Sequence, residues 1–160
     1  MMKGFVNIRI DDRLIHGQVA TRWSTGLRAT RIMVIDNDVA NDDVQKSVLR
    51  MAAPSGISTS IITEEKAITN IKAGKYENQR VLLVVRRPKV LLNLINAGLP
   101  IDKINVGNMS NRDNTTQVKK SVSLTAEERA DIEAIMAKGV LVTAQMVPDD
   151  PETDFKQFLK

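Results

Sequence analysis

Residues 80–100 read RVLLVVRRPKVLLNLINAGLP, a strand pattern followed at once by a helix pattern. Residues 80–85 are the most hydrophobic of the predicted strands, which is typical of a strand buried on both faces, so we expect it at the centre of a sheet. Pro88 suits the first turn of a helix that continues to Asn96 and ends at residues 98–100, Gly-Leu-Pro. A buried strand that leads into a helix is the repeating unit of a mainly parallel α/β sheet.

The same alternation of short apolar runs and amphipathic runs extends along the chain in both directions. Further strands are predicted at residues 4–10, 31–36, 57–62, 103–106 and 140–147, and residues 119–124 alternate polar and apolar side chains as an edge strand would. The acidic tail after Pro148 is expected to form a short docking helix. We therefore predict a single α/β domain over residues 1–160, an open, mostly parallel sheet with helices on both faces and an antiparallel edge.

Capping residues mark where several helices begin. Thr63 starts a run that resembles a capping box, and Thr125 starts another with Glu128 in the capping-box position. Asn41 or Asp42 is placed to cap another helix, which lies between the first helix and the helix that begins at Thr63. That helix has apolar residues at three- and four-residue spacing, as an amphipathic helix does: Val44, Val48, Leu49 and Ala52.

The composition excludes several classes of protein. The chain has 42% hydrophobic and 26% charged residues, which is typical of a soluble globular domain. It has no cysteine, so disulfides, thiol catalysis and cysteine-bound zinc are excluded, and the single His16 excludes a multi-histidine metal site. The longest uninterrupted aliphatic stretch, residues 81–85, is too short to cross a bilayer, and paired acids follow the N-terminus before any signal peptide could form. We expect a cytoplasmic protein.

The charge and the missing motifs narrow the chemistry. A net charge of +4 is compatible with an acidic protein partner, a phosphate-bearing ligand or nucleic acid, but only 3% of residues are aromatic, which disfavours nucleic acid. The chain has no GxxxxGK[ST], GxGxxG, GxSxG or HExxH motif. The chemistry must therefore be of a kind that needs no nucleotide-binding loop, and we expect neither a metal nor another cofactor.

One cluster of residues carries chemical information. RIDDRLIHGQ, residues 9–18, spans the end of the first strand and the start of the next helix, where ligands bind in doubly wound sheets. His16 lies there, and a neutral imidazole is a competent nucleophile. Asp11 or Asp12 is placed to accept a hydrogen bond from one ring nitrogen, and Arg13 supplies the donor fork that suits phosphate oxygens. The set fits a transient phosphohistidine better than a metal site.

Other interpretations of the same residues remain open. A lone histidine in a loop is often a surface or structural residue, and Asp11 and Asp12 can serve as turn and cap formers. A receiver domain that forms a phosphoaspartate also has two acids after its first strand, but it needs an Asp after the third strand, where this chain has Thr63. A non-catalytic regulatory or phosphate-ligand-binding module is the alternative to an enzyme.

The chain resembles a known family at these residues. RIDDRLIHGQVATRW, residues 9–23, looks like the active-site segment of the IIB component of mannose/fructose/sorbose-type sugar phosphotransferase systems. The resemblance covers essentially the whole chain, since further segments appear in the family's order: VIDNDVANDDVQKSVLRMAAPSG, VLLVVRRP, INVGNM and VSLTAEE. It implies an open α/β sheet and a protein-N-phosphohistidine–sugar phosphotransferase, acting as a IIB chain without an attached IIA domain.

The resemblance also implies roles for individual residues. His16 is the expected phosphorylated nucleophile, Arg13 stabilises the phosphoryl group, and Asp11 shapes the loop or orients the ring. Relatives often have a glycine at the position of Asn108. The residues expected to form the phosphate-binding loops are Asp12, Gly17, Gln18, Gly107, Asn108, Met109 and Ser110.

The partners follow from the same resemblance. The phosphoryl donor is expected to be a IIA protein or domain, and the acceptor is a sugar at the membrane components IIC and IID, with which the chain associates peripherally. Arg86 ends the central strand and Arg22 lies in the first helix, so both are candidates for a docking surface. A homodimer is a further candidate assembly. Trp23 is expected to pack the first helix, and Met109 to lie at the edge of the site.

Overall fold

The computed structural model describes residues 2–160, which form nine strands, six α-helices and one short 3-10 helix. The strands are β1 (Phe5–Asp11), β2 (Arg31–Ile35), β3 (Ser58–Ile62), β4 (Val81–Val85), β5 (Lys103–Asn108), β6 (Thr116–Lys119), β7 (Val122–Leu124), β8 (Leu141–Ala144) and β9 (Thr153–Asp154). The helices are α1 (Gly17–Leu27), α2 (Asn37–Ala40), α3 (Asp43–Ala52), α4 (Glu64–Lys72), α5 (Pro88–Asn96), α6 (Ala126–Ala137) and the 3-10 helix Phe155–Phe158.

Seven strands form the main sheet, in the order β3-β2-β4-β1-β5-β8-β9. All neighbouring pairs are parallel except β8 and β9, which pair antiparallel at one edge. The predicted fold class is therefore confirmed. β4 lies between β2 and β1, and all five of its residues are buried, as its sequence predicts.

Successive residues of the strands face two separate hydrophobic cores, because side chains alternate across a strand. Leu82 and Val84 of β4 face a core that contains Trp23 of α1 and Val39 of α2. Leu83 and Val85 face the other core, which contains residues of α4, α5 and α6. Helices thus cover both faces of the sheet.

The helix starts follow the predicted caps. The Thr125 hydroxyl accepts from the Glu128 N–H, and the Glu128 carboxylate accepts from the Thr125 N–H, so the predicted capping box is confirmed. Thr63 caps α4 by accepting from the Lys66 N–H, but a lysine at this position cannot return the second hydrogen bond of a box. Asp42 caps α3, and the sequence interpretation missed the one-turn helix α2 before it, which Asp36 caps.

Two local predictions are corrected. Residues 119–124 do not add an edge strand to the main sheet, because β6 and β7 form a separate antiparallel hairpin and β9 supplies the antiparallel edge. The spaced apolar residues of α3 do not share one buried face either. Leu49 and Ala52 pack against the core, whereas the neighbouring face is exposed and includes Val44, Val48 and Met51.

The tail returns to the domain. Phe155 begins the 3-10 helix and is fully buried, while Phe158 and Leu159 pack beside the same core. None of the helices within residues 2–160 has the length and apolar character needed to span a bilayer.

Candidate active site

The site lies where β1 and β5 end side by side. The chain leaves β1 through α1 towards β2 on one side, and it leaves β5 through the hairpin and α6 towards β8 on the other side. Such a reversal opens a crevice at the carboxyl ends of the strands, where ligands of open α/β sheets bind. Two loops border this crevice, residues 12–16 after β1 and residues 109–112 after β5.

The first loop turns His16 towards solvent. Leu14 adopts a left-handed backbone conformation with a φ of 61°, and its side chain and that of Ile15 are buried in the core below α1. The next residue, His16, is exposed and occupies the N-cap position of α1 without a capping side-chain hydrogen bond. Within residues 2–160 its ring has no hydrogen-bond or ion-pair partner. Gly17, with a φ of 29°, and Gln18 are exposed beside it.

Asp11 and Arg13 form a two-point ion pair within this loop. Oδ1 of Asp11 accepts from Nε of Arg13 at 2.9 Å, and Oδ2 accepts from Nη2 at 2.8 Å. The Arg13 backbone N–H also donates to Oδ1, at 3.0 Å. The hydrogen bond with Asp11 is the main reason why the pKa of Arg13 lies above its ordinary value. Asp11 therefore shapes the loop and holds Arg13, and its carboxylate is directed to arginine instead of the His16 ring.

A buried arginine that the sequence interpretation left aside lies behind Asp11. Arg9 is 2% exposed, and its Nη2 lies 3.5 Å from Oδ2 of Asp11. Burial lowers the pKa of Arg9 to about 10, although the Asp11 carboxylate acts in the opposite direction. Alternation along β1 places Arg9 on the face opposite Ile8 and Ile10, so no signal in the sequence indicated that Arg9 is buried.

Asp12 joins the two loops. Its carboxylate accepts from the Ser110 N–H at 2.7 Å and from the Asn108 side-chain amide at 2.8 Å, and its own N–H donates to the Asn108 carbonyl. Partial burial by itself would raise the pKa of Asp12, but the hydrogen bonds from Ser110 and Asn108 outweigh burial and leave the pKa below its ordinary value. Asn108 thus supports the contact between the loops through its side chain.

Two further arginines, which the sequence interpretation did not assign to the site, lie beside the two loops: Arg112 contacts the second loop and Arg87 the first. Arg112 donates from Nε to the Ser110 carbonyl and from Nη1 and Nη2 to the Glu128 carboxylate. Arg87 lies between Glu128, at 3.4 Å, and Asp12, at 3.8 Å. Partial burial and the nearby Arg112 lower the pKa of Arg87. The RRP sequence after β4 indicated a basic strand end, but the structure was needed to show which arginine reaches the loop.

The remaining predicted residues lie as follows. Gly107 is buried, and a Cβ there would overlap the guanidinium of Arg9, so this glycine makes room for a side chain. Met109 is fully buried instead of lying at the edge of the site, and its N–H donates to the Ser121 carbonyl. Arg86 lies 3.9 Å from Asp36, and Arg22 pairs with Asp149.

The arrangement favours an anion on the His16 ring. His16 occupies the N-cap position of α1, and a helix N-terminus favours negative charge. The four carboxylates around the crevice are each engaged with an arginine: Asp11, Asp12, Asp36 and Glu128. These carboxylates are therefore poorly suited to ligate a metal ion, whereas the imidazole is free to form a bond.

Comparison with known proteins gives consistent matches. A family model described as the PTS system sorbose subfamily IIB component matches residues 5–160. The sorbose-specific EIIB component of Lacticaseibacillus casei is 38% identical, over 91% of this chain and 89% of that protein. The fructose-specific EIIB component of Bacillus subtilis is 36% identical, over 99% and 98%. The crystal structure of the IIBSor domain of the Klebsiella pneumoniae sorbose permease superposes with a TM-score of 0.92 at 33% identity, covering 97% of this chain and 95% of that one.

Proposed function

Because the chain belongs to the sorbose subfamily of phosphotransferase-system IIB components, we propose that it carries a phosphoryl group on His16 between a IIA donor and a sugar. The observation that carries this proposal is the exposed His16 ring at the start of α1, with no hydrogen bond to either nitrogen from residues 2–160. A histidine nucleophile needs an unshared electron pair on an accessible ring nitrogen. This ring fulfils that requirement.

The transfer consists of two displacements at phosphorus. In the first, a bond forms between a His16 nitrogen and phosphorus while the N–P bond of the IIA phosphohistidine breaks, and the donor imidazole leaves with the electron pair. In the second, a sugar hydroxyl attacks the phosphorus, the His16 N–P bond breaks, and the hydroxyl proton is released. Such steps need in-line placement and charge stabilisation more than covalent assistance from the protein.

Arg13 is positioned to supply the charge stabilisation. Asp11 takes the Nε and Nη2 positions of the guanidinium, and Nη1 has no hydrogen-bond partner within residues 2–160. The ion pair fixes the orientation of the guanidinium, so Nη1 is available to a phosphoryl oxygen without further ordering. The Gly17 and Gln18 N–H groups at the start of α1 favour the same negative charge.

The second loop supports the first in this proposal. Ser110 and Asn108 direct their donors to Asp12, which keeps residues 109–112 against the His16 loop. Arg86, directly after β4, and Arg22, on α1, are both partly exposed and are the proposed contacts for the acidic surface of IIA. The sugar takes the phosphoryl group at the membrane components IIC and IID. In this proposal the chain is cytoplasmic and associates with these components peripherally.

The experiment uses the fact that the chain has one histidine. The purified chain is incubated with phosphorylated IIA, and the phosphate bound to it is measured by intact mass and by its stability in acid and alkali. We expect an acid-labile, alkali-stable phosphate on the wild type and none on His16→Ala, with Lys138→Ala, an exposed position at the carboxyl end of α6, as the control that retains it. Absence of transfer to the wild type from a competent donor would favour a non-catalytic phosphate-binding module.

A further inference from the structure

Arg9 is a cation in a place where a hydrophobic side chain would be expected. It lies in the middle of β1, between β4 and β5, and is 2% exposed. Burying a guanidinium is unfavourable unless its donors are satisfied, and burial indeed lowers the pKa of Arg9 to about 10. A residue with such a penalty needs a compensating role in the fold or in the site.

The surroundings of Arg9 hold its guanidinium in one position. Nη1 donates to the Gln145 carbonyl at 2.8 Å and Nη2 to the Met146 carbonyl at 2.6 Å, both in the turn after β8. The guanidinium carbon lies 4.6 Å from the centre of the Trp23 ring, and the Trp23 N–H donates to the same Met146 carbonyl. On the remaining side the absence of a side chain at Gly107 leaves the space that the guanidinium fills.

The fixed guanidinium is continuous with the loop that carries His16. Arg9 Nη2 lies 3.5 Å from Oδ2 of Asp11, and this same oxygen accepts the hydrogen bond from Arg13 Nη2 at 2.8 Å. Asp11 is itself 2% exposed, so its two cations are its principal electrostatic partners. Electrostatic interactions are stronger in the low dielectric of a buried site than in water. We therefore expect the orientation of the Asp11 carboxylate to depend on both arginines.

We propose that Arg9 is a positioning residue that acts through Asp11 to orient Arg13 towards the phosphoryl group on His16. This inference rests on the proposed function and assigns a role to a residue that is too deeply buried to touch the phosphoryl group itself. The chain Arg9–Asp11–Arg13 then also connects the turn at residues 145–146 with the reactive loop, since Arg9 binds both carbonyls of that turn.

A double-mutant cycle on phosphotransfer tests this role. The first-order rate of transfer from saturating phosphorylated IIA is measured for the wild type, Arg9→Met, Arg13→Ala and the double variant. We expect Arg9→Met to lower the rate roughly tenfold or more in the wild-type background, with an unchanged KM for IIA, and to have almost no effect in the Arg13→Ala background, because residues in one network are coupled. A merely structural Arg9 would lower the rate by the same factor in both backgrounds, and that result would overturn the proposal.

Two further variants keep the test decisive. If Arg9→Met does not fold, Gly107→Ala displaces the Arg9 guanidinium without altering the charges of either loop. We then expect the same loss of transfer rate in the chain that retains Arg13, and almost no loss in the Arg13→Ala background. Arg31→Met is the matched control, an arginine at the amino end of β2 with side-chain bonds to Gln79 and Ser60, and it should not change transfer in either background.

Failure of this proposal is distinguishable from failure of the proposed function. If the wild-type chain takes no phosphoryl group on His16, both proposals fail. If His16 is phosphorylated and the effects of Arg9→Met and Arg13→Ala simply multiply, only the role of Arg9 is overturned.

Discussion

The Asp12 carboxylate accepts the Ser110 backbone N–H at 2.7 Å, although 98 residues separate them in the chain. This hydrogen bond ties the loop after β1 to the loop after β5, the two loops that border the proposed phosphoryl site. The contact exists because β1 and β5 are neighbours in the sheet and end at the same edge. The geometry of the site therefore depends on a charged group that is not itself a candidate nucleophile.

Asp12→Asn should destabilise the domain by about 1–3 kcal/mol, because the replacement removes a charge-assisted hydrogen bond and places a second amide opposite the Asn108 amide. Urea unfolding measures the free energy of unfolding. Asp38→Asn is a suitable control, since Asp38 is exposed and, within residues 2–160, its side chain makes no hydrogen bond or ion pair. Equal stability of Asp12→Asn and the wild type would show that the connection between the loops contributes little.

The contribution of Asp12 should depend on pH in a defined direction. Because its pKa is lower in the folded chain than its ordinary value of about 3.9, the stabilisation is fully present above that ordinary value and is lost as the pH falls through the folded pKa. The difference in unfolding free energy between the wild type and Asp12→Asn should thus be constant near neutral pH and shrink below about pH 4. A difference that grows on acidification would contradict this assignment.

Arg13→Ala should slow phosphorylation of His16 roughly a hundredfold, the size of effect seen when one donor to a transition-state anion is removed. Arg13→Lys keeps the charge but cannot reproduce the two-point pair with Asp11, so we expect it to restore only part of the rate. These rates are obtained by quenching the transfer reaction at a series of times and measuring the phosphorylated fraction of the chain by intact mass. Unchanged kinetics in Arg13→Ala would remove Arg13 from the site.

Gly107→Ala should destabilise the chain by about 1–3 kcal/mol, since the new methyl group would overlap the buried Arg9 guanidinium. Gly26→Ala is the matched control. Its Cβ would come no closer than 3.9 Å to Pro148, and alanine favours a helix over glycine, so a gain of about 0.5–1 kcal/mol is expected. Thermal and urea unfolding of both variants distinguish the two signs.

The exposed face of α3 should tolerate polar residues. Met51→Gln and Val44→Gln should change the unfolding free energy by no more than about 0.5 kcal/mol, because these side chains are 85% and 74% exposed. Leu91→Ala, in a fully buried position of α5, should by contrast destabilise the chain by about 2–5 kcal/mol. A large effect of Met51→Gln would mean that this face is covered in solution.

Local patterns were sufficient to predict most of the secondary structure. The run at residues 81–85, the Thr125–Glu128 capping box and the position of His16 before α1 depend on side chains within one or two turns of each other, so their effects are visible in the sequence. The family resemblance at residues 9–23 directed attention to the carboxyl end of β1 for the same reason.

Contacts between distant segments were decided by the tertiary structure alone. Asp11 pairs with the nearby Arg13 and also with Arg9, whose position is set by a turn more than 130 residues away and by the missing side chain of Gly107. The face that α3 buries likewise depends on where the sheet offers a surface, since Val44 and Leu49 are equally apolar in sequence. The order of the strands brings these groups together, and an order of strands is a property of the packed sheet that periodicity along a single segment does not contain.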